Sequence, residues 1–444
     1  MFAIQYRQAS NVTSLGSFRA TIDCLLHRYV LPYRARGRPN VVVFDEDTGL
    51  ATLAVGSRGT AARRLFSPQA AASCASPCRA LGALRMLGGA YAGPLAAYKQ
   101  RFPGLGPLSG VFVAETDTIA RSFMGTFSAL AERHGLYLIA SGDLPAFKQS
   151  RAGADVRLFG DPDLRPRARS AYVAASPQVH NQAFIWGPRE LRRRGPDVLR
   201  NVVASNLKVP LTSLEVALGF TAGPAHGRAA VSNLRPYALP GTSARLGIAT
   251  SLPAFTYGTP APGVDPCSDT ASYYMRCLDR LGANVVIQDE ANPGSWSGPD
   301  GNGIEQWQPL SWMGSTYRTV SDPSVHFAYN VTAMMVGNLA DLPFDGQSAI
   351  TQRGGTRGPG CHYVGDSSFV PAEDQPVLRG YAGAKRDFVA LAPWVVPDGP
   401  RPPLRRVGAE LASGSGSRRQ DDYLQTALVA DLPLPVDRHR RGCA

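Results

Sequence analysis

The run Val41-Val42-Val43-Phe44, followed at once by Asp45-Glu46-Asp47, is the feature that most constrains the fold. An unbroken stretch of large, mostly β-branched residues reads as a strand, Asn40–Phe44, buried on both faces. Such a strand needs a packed layer above and below it. Acidic residues at its end place carboxylates where burial and neighbouring charge shift their proton affinity.

Amphipathic helices supply part of that packing. Phe2–Tyr6 reads as a strand, and Ser14–Tyr29 as a helix with Phe18, Ile22, Leu25 and Tyr29 at helical spacing. Ile119, Phe123, Phe127 and Leu130 mark another helix, closed by His134-Gly135 and followed by a strand at Leu136–Ala140. Ser170–Ala175 and Gln182–Trp186 read as two adjacent strands, and 149–170 as a polar surface loop. Further strands are expected at Arg245–Ser251, Asn284–Gln288, Val331–Val336, Ser348–Ile350 and Ala427–Ala430, with a helix holding Tyr274, Leu278 and Leu281. Strands alternating with helices and then passing into paired strands predict a layered α/β sandwich with mixed sheets. No glycine-rich phosphate fingerprint opens any helix, and no internal repeat is visible.

The net charge of +12 over 444 residues would permit binding to nucleic acid or an anionic membrane. Its distribution does not favour either, because much of the excess lies in the runs Arg165–Arg169, Arg192–Arg194 and Arg438–Arg441, with no basic-aromatic stripe. Seven cysteines fit neither a compact disulfide framework nor repeated zinc pairs. Cys74 and Cys78 read first as ordinary thiols and second as a disulfide. With neither a secretory leader nor a membrane-length apolar run visible, the expectation is a soluble, cytoplasmic protein.

Three stations carry reactive side chains near strand ends. Glu46 suits a general base if burial raises its pKa, against the plainer alternative of a solvated acidic turn. Lys208, enclosed by apolar residues in Asn206-Leu-Lys-Val-Pro-Leu-Thr-Ser-Leu-Glu215, suits stabilisation of an oxyanion, against the commoner surface lysine lying over apolar neighbours. Cys267 precedes a helix, where a thiolate is favoured, while Cys277 inside that helix reads as a packing thiol.

In this order the stations resemble the nitrilase-like carbon–nitrogen hydrolase superfamily. Val42-Val43-Phe44-Asp45-Glu46 resembles its glutamate strand, Leu207-Lys-Val-Pro-Leu-Thr-Ser-Leu-Glu215 its lysine segment, and His180-Asn-Gln-Ala-Phe the strand before that lysine. Arg276-Cys-Leu-Asp-Arg-Leu-Gly-Ala283-Asn-Val-Val resembles a later helix and strand, with Val336-Gly-Asn338, Phe344-Asp-Gly-Gln-Ser-Ala-Ile350 and Leu428-Val-Ala-Asp431 closing the series. The resemblance implies an αββα sandwich of four layers with mixed sheets and long insertions. It places 1–444 in a single domain, with insertions at about 51–110, 149–170 and 252–266 and a tail at about 432–444.

The resemblance also implies hydrolysis or acyl transfer at a non-peptide carbon–nitrogen bond of an amide or nitrile. Its Glu-Lys-Cys triad would be Glu46, Lys208 and Cys267, with Glu215 in support, a thioester intermediate, and no metal or organic cofactor. Sheets pairing face to face across a dimer imply a homo-oligomer, and the tryptophan-rich loops near Trp296, Trp307 and Trp312 would line the pocket. The departure is at the nucleophile: the matching strand ends on Ser251, and Cys-Xaa-Asp returns only at Cys267-Ser-Asp269. Cys267 with the intervening loop as an insertion, a degenerate relative with a binding or regulatory role, and Ser251 itself all stay open. Serine ranks last because its hydroxyl is harder to deprotonate than a thiol.

Overall fold

The structure, a computed structural model, describes residues 1–8, 12–66, 77–164, 168–191, 195–294, 313–354, 388–392 and 404–436. The buried valine run forms β2 (Val41–Val43), paired in parallel with β1 (Phe2–Gln5) and with β3 (Tyr137–Ser150). The first sheet continues through β4 (Ala171–Trp186) to β5 (Val202–Leu207) and is closed on its other edge by β14 (Thr426–Val429).

A second sheet is built from β6 (Tyr237–Ala238), β7 (Arg245–Ile248), β8 (Val285–Glu290), β9 (Tyr329–Met334), β12 (Ala349–Gln352) and β13 (Phe388–Leu391). In it, β7, β8 and β9 are parallel while the outer pairings are antiparallel, so both sheets are mixed as expected. A small hairpin of β10 (Gly337–Leu339) and β11 (Leu342–Phe344) stands apart.

Strand alternation explains the layers. Val42, Phe2, Ile4 and Leu138 face outward into a core with the helices α1 (Leu15–Tyr29) and α7 (Gly125–His134), while Val41, Val43, Ala3 and Ile139 face inward. Those inward residues meet Ile248, Val285, Ile287 and Val331 of the second sheet in one apolar cluster. Val286 points the other way, to a core covered by α11 (Thr270–Arg280). Helix α11 approaches closely, since a Cβ on Gly247 would lie 2.8 Å from Leu278 and Ala283 atoms. The result is the expected αββα sandwich. Its sheets pack face to face within one chain, so that packing does not require a second copy.

The segment 51–110 joins this architecture as helices α2 (Thr60–Phe66), α3 (Cys78–Ala90), α4 (Ala92–Arg101) and α5 (Ser109–Ala114), whose Leu87, Tyr91 and Tyr98 enter the first sheet's outer core. Three readings change. Segment 149–170 holds the end of β3 and a helix, α8 (Gly153–Phe159), rather than a bare loop. The two strands expected at 170–186 are one, β4, which runs antiparallel along β3 from Leu138↔Trp186 to Ser150↔Ala171. The tail begins as packed chain, because Leu432, Leu434 and Val436 lie against the inter-sheet cluster and Tyr329 Oη donates to the Pro433 carbonyl at 2.8 Å.

Among the described residues no helix is long and apolar enough to cross a membrane.

Candidate active site

The acidic turn after β2 is pinned rather than solvated. Phe44 N–H donates to the Ile139 carbonyl at 2.8 Å, Thr48 Oγ1 donates to Asp45 O and Oδ1 at 2.7 Å, and Asp47 N–H donates to Ser141 Oγ at 3.0 Å. Gln8 Nε2 holds the Asp47 carbonyl at 2.9 Å. Glu46 is thereby directed inward, 2 % exposed.

Lys208 follows β5, with its N–H on the Asn181 carbonyl at 3.0 Å and its own carbonyl accepting from Gly223 N–H at 2.9 Å. It is 2 % exposed, which removes the surface-lysine alternative. Its Nζ lies 2.6 Å from Glu46 Oε1 and 3.0 Å from Glu215 Oε2. Helix α9 (Ser213–Leu218) explains the seven-residue spacing from Lys208 to Glu215. Thr212 caps the helix, and Glu215 at its third position folds back so that Oε2 accepts from Thr212 N and Oγ1 at 2.7 and 2.8 Å. A helix cap thus aims a carboxylate at the lysine.

Asn181, on β4, completes the cluster. Its Nδ2 donates to Glu46 Oε1 at 2.8 Å and to Glu215 Oε1 at 2.9 Å, while Ala291 N–H donates to Glu46 Oε2 at 2.9 Å. Asn181 lay within a quoted motif but was not read as a site residue. No local signal in the sequence marks it, because it stands between His180 and Gln182 in a run of polar residues.

Burial raises Glu46 to about 7, with Glu215 adding to the rise and Lys208 opposing it. For Lys208, burial opposes the charge, but Glu46 and Glu215 outweigh it and hold the ammonium well protonated. Burial also works against the charge on Glu215, yet Lys208 and the Thr212 backbone keep it below the ordinary value. Asp47, Asp143 and Asp289 lie close by, and burial raises all three. The lysine therefore sits in an acidic surround with one carboxylate poised near neutrality.

Ser251 lies just beyond β7, on the same side of the sandwich. It is 3 % exposed, with φ 55° and ψ −117°, a backbone state that serine rarely adopts. Its N–H donates to the Asp289 carbonyl at 3.0 Å and its carbonyl accepts from Ala254 N–H at 2.9 Å, so the turn is held at both ends. Asp289 is two residues from Ala291, whose N–H holds Glu46. A strained turn after a strand is the arrangement that exposes a nucleophile at the edge of an α/β sheet.

Cys267 is placed differently. It occupies a 3₁₀ turn, Pro266–Ser268, and its sulfur is bonded to that of Cys277. Cys277 is therefore a disulfide partner rather than a packing thiol, and Cys267 presents no thiol in this state. Among the described residues, no hydrogen bond joins it to Glu46, Lys208 or Glu215, and it packs in the core beneath α11. Cys78 is disulfide-bonded as well, against the reading of ordinary thiols there. Trp296, Trp307 and Trp312 lie outside the described residues.

No protein-family model matches the chain, and no curated protein matches it. Among solved structures, a mutant amidase from Nesterenkonia sp. AN1, with acrylamide added at its active-site cysteine, is similar at TM-score 0.40 and 12% identity, over 79% of this chain and 84% of that one. A carbon–nitrogen hydrolase from Helicobacter pylori G27 is similar at TM-score 0.39 and 13% identity, over 79% and 80%. A second mutant of the Nesterenkonia amidase, described as from the nitrilase superfamily, is similar at TM-score 0.37 and 13% identity, over 79% and 82%. At these values the likeness carries no argument for a shared activity. The case for one rests on this chain's own side chains.

Proposed function

We propose that this protein is a nitrilase-like hydrolase or acyltransferase acting on a small-molecule amide or nitrile, with Ser251 at the nucleophile position. One observation supports this reading most strongly: Lys208 is clamped between Glu46 and Glu215, and the strained Ser251 turn is tied through the Asp289 carbonyl to the strand end whose Ala291 N–H holds Glu46. Glu46, near neutrality, takes the proton from Ser251 Oγ as that oxygen attacks the amide carbon. Of the three Nζ–H donors of Lys208, two face carboxylates and the third serves the developing oxyanion. The tetrahedral intermediate then collapses, the carbon–nitrogen bond breaks, and Glu46 returns its proton to the leaving amine. Water, deprotonated by Glu46, attacks the resulting ester, and as the acid leaves Glu46 returns that proton to Ser251 Oγ. The same reading carries the expectation of a homo-oligomer.

The test is turnover of a panel of small amides by wild type, Ser251→Ala, Glu46→Gln and the double variant Cys267→Ser/Cys277→Ser, with intact-mass detection of the acyl adduct. The expected result is a loss of roughly 10²-fold or more in the first two variants and retention in the third. Retention in Ser251→Ala together with loss in the double variant would return the role to Cys267.

A second reading is favoured by the disulfide, which removes the one thiol that the motif order offered. In it the scaffold binds a small molecule without turnover. It predicts saturable amide binding with no adduct on any residue.

A further inference from the structure

We propose that Asp23, His27 and His134 form a divalent-metal site, best suited to zinc, on the helical layer behind the first sheet. Asp23 and His27 are four residues apart on α1 and share a face, and His134 is the last residue of α7. Asp23 Oδ1 lies 2.7 Å from His134 Nε2 and 3.3 Å from His27 Nδ1, and candidate donor atoms of all three residues lie within 4.8 Å of one another. Tetrahedral zinc with bonds of about 2.0–2.2 Å sets its donors roughly 3.3 Å apart, so small side-chain adjustments complete three corners and leave the fourth to water. Two imidazoles and a carboxylate are donors that zinc accepts.

Three features of the surroundings bear on a cation bound here. Helices α1 and α7 both end here, at Tyr29 and His134, and each C-terminus carries about half a negative charge. Arg133 Nη1 holds Asp23 Oδ2 at 3.2 Å, which orients the carboxylate and leaves Oδ1 toward the histidines, while the arginine's own charge, half open to solvent, opposes the ion. Exposure is graded, with side chains at 10% for His134, 22% for Asp23 and 60% for His27, so the site is anchored on its inner side and open to solvent on its outer side. Ligation through His27 Nδ1 displaces its contact with the Asp23 carbonyl at 2.9 Å. A bound ion would fasten α1 to α7, whose Phe127 packs edge-on against Phe44, two residues before Glu46.

The test is calorimetric titration of zinc into the chelator-stripped full chain, free of any affinity tag, with thermal unfolding measured alongside. One equivalent is expected to bind and raise the Tm. Asp23→Asn, His27→Ala and His134→Ala should each weaken binding at least tenfold and abolish the Tm rise, while Cys24→Ser, at the neighbouring exposed thiol, should leave both unchanged. His27 is exposed, so its variant stays informative even where His134→Ala fails to fold. Absence of zinc binding by wild type, or undiminished binding by His27→Ala, would overturn the proposal.

Discussion

The Lys208 cluster and the Cys267 turn each hold a side chain that the motif order marks as reactive, yet they are assembled in opposite ways. Glu46 is joined to Asn181, Lys208 and Ala291 across 135, 162 and 245 residues of chain. Cys267 is satisfied by Cys277, 10 residues away. Long-range contacts between distant segments bring unlike charges together in the buried interior. A local closure consumes the reactive atom. A place in the motif order is thus not enough; what matters is whether the partner comes from across the fold.

The contrast breaks most sharply at Lys208. Lys208→Met leaves two buried carboxylates without their cation and should cost about 3–5 kcal/mol, measured by chemical denaturation. Adding Glu46→Gln should recover part of that loss. A loss close to zero would mean that the cluster is not held by charge.

The local closure should matter less. Cys267→Ser/Cys277→Ser opens a short loop and should cost roughly 2–3 kcal/mol, again by denaturation. A larger loss than Lys208→Met would invert the comparison.

The same burial also sets a pH trend. Glu46 and Glu290 sit at about 7 and about 8 in the folded chain against an ordinary 4.5, both through burial. Across that interval the folded state holds more protons than the unfolded state, so stability falls as pH rises from 4.5 toward 8. The raised carboxyls of Asp45, Asp47, Asp143 and Asp289 act in the same direction. Glu215, held low, contributes above 4.5 and loses that contribution only as the medium becomes more acidic, so it does not offset the trend. The Tm should decline steadily from pH 5 to 8, whereas any turnover that uses Glu46 as a base should rise through pH 7. A Tm that climbs over this interval would show that the cluster's carboxylates are compensated in a way the geometry does not provide.

Much of the architecture was legible because it rests on apolar patterning. Val41–Phe44 announced a strand buried on both faces, and the helical spacing of Phe18, Ile22 and Leu25 marked α1. The long β3–β4 hairpin was not legible. Ser141-Gly-Asp143 and Ser176-Pro-Gln178 interrupt the apolar run, and the middle of β4 is exposed, so the strands continue on backbone pairing where side-chain periodicity has ended. Glu46 and Lys208 were found by motif order, and their contact was not foreseeable from spacing alone. Asn181 was hidden because its partners are distant in sequence. The disulfide was missed because a cysteine inside a helix reads like any small apolar residue.

The pairing of β1 with β14, Phe2↔Val429 through Gln5↔Thr426, bears on how the chain reaches this structure. During synthesis the first strand emerges long before its neighbour on that side, and its hydrogen-bonding edge stays unclaimed until residues 426–429 arrive. Gln5 deepens the delay, since its side chain waits for the Ser348 N–H at 2.9 Å and the Leu424 carbonyl at 3.0 Å. So nonlocal a closure favours slow folding, and a nascent or truncated chain lacking β14 would offer β1 as a template for association with its own copies.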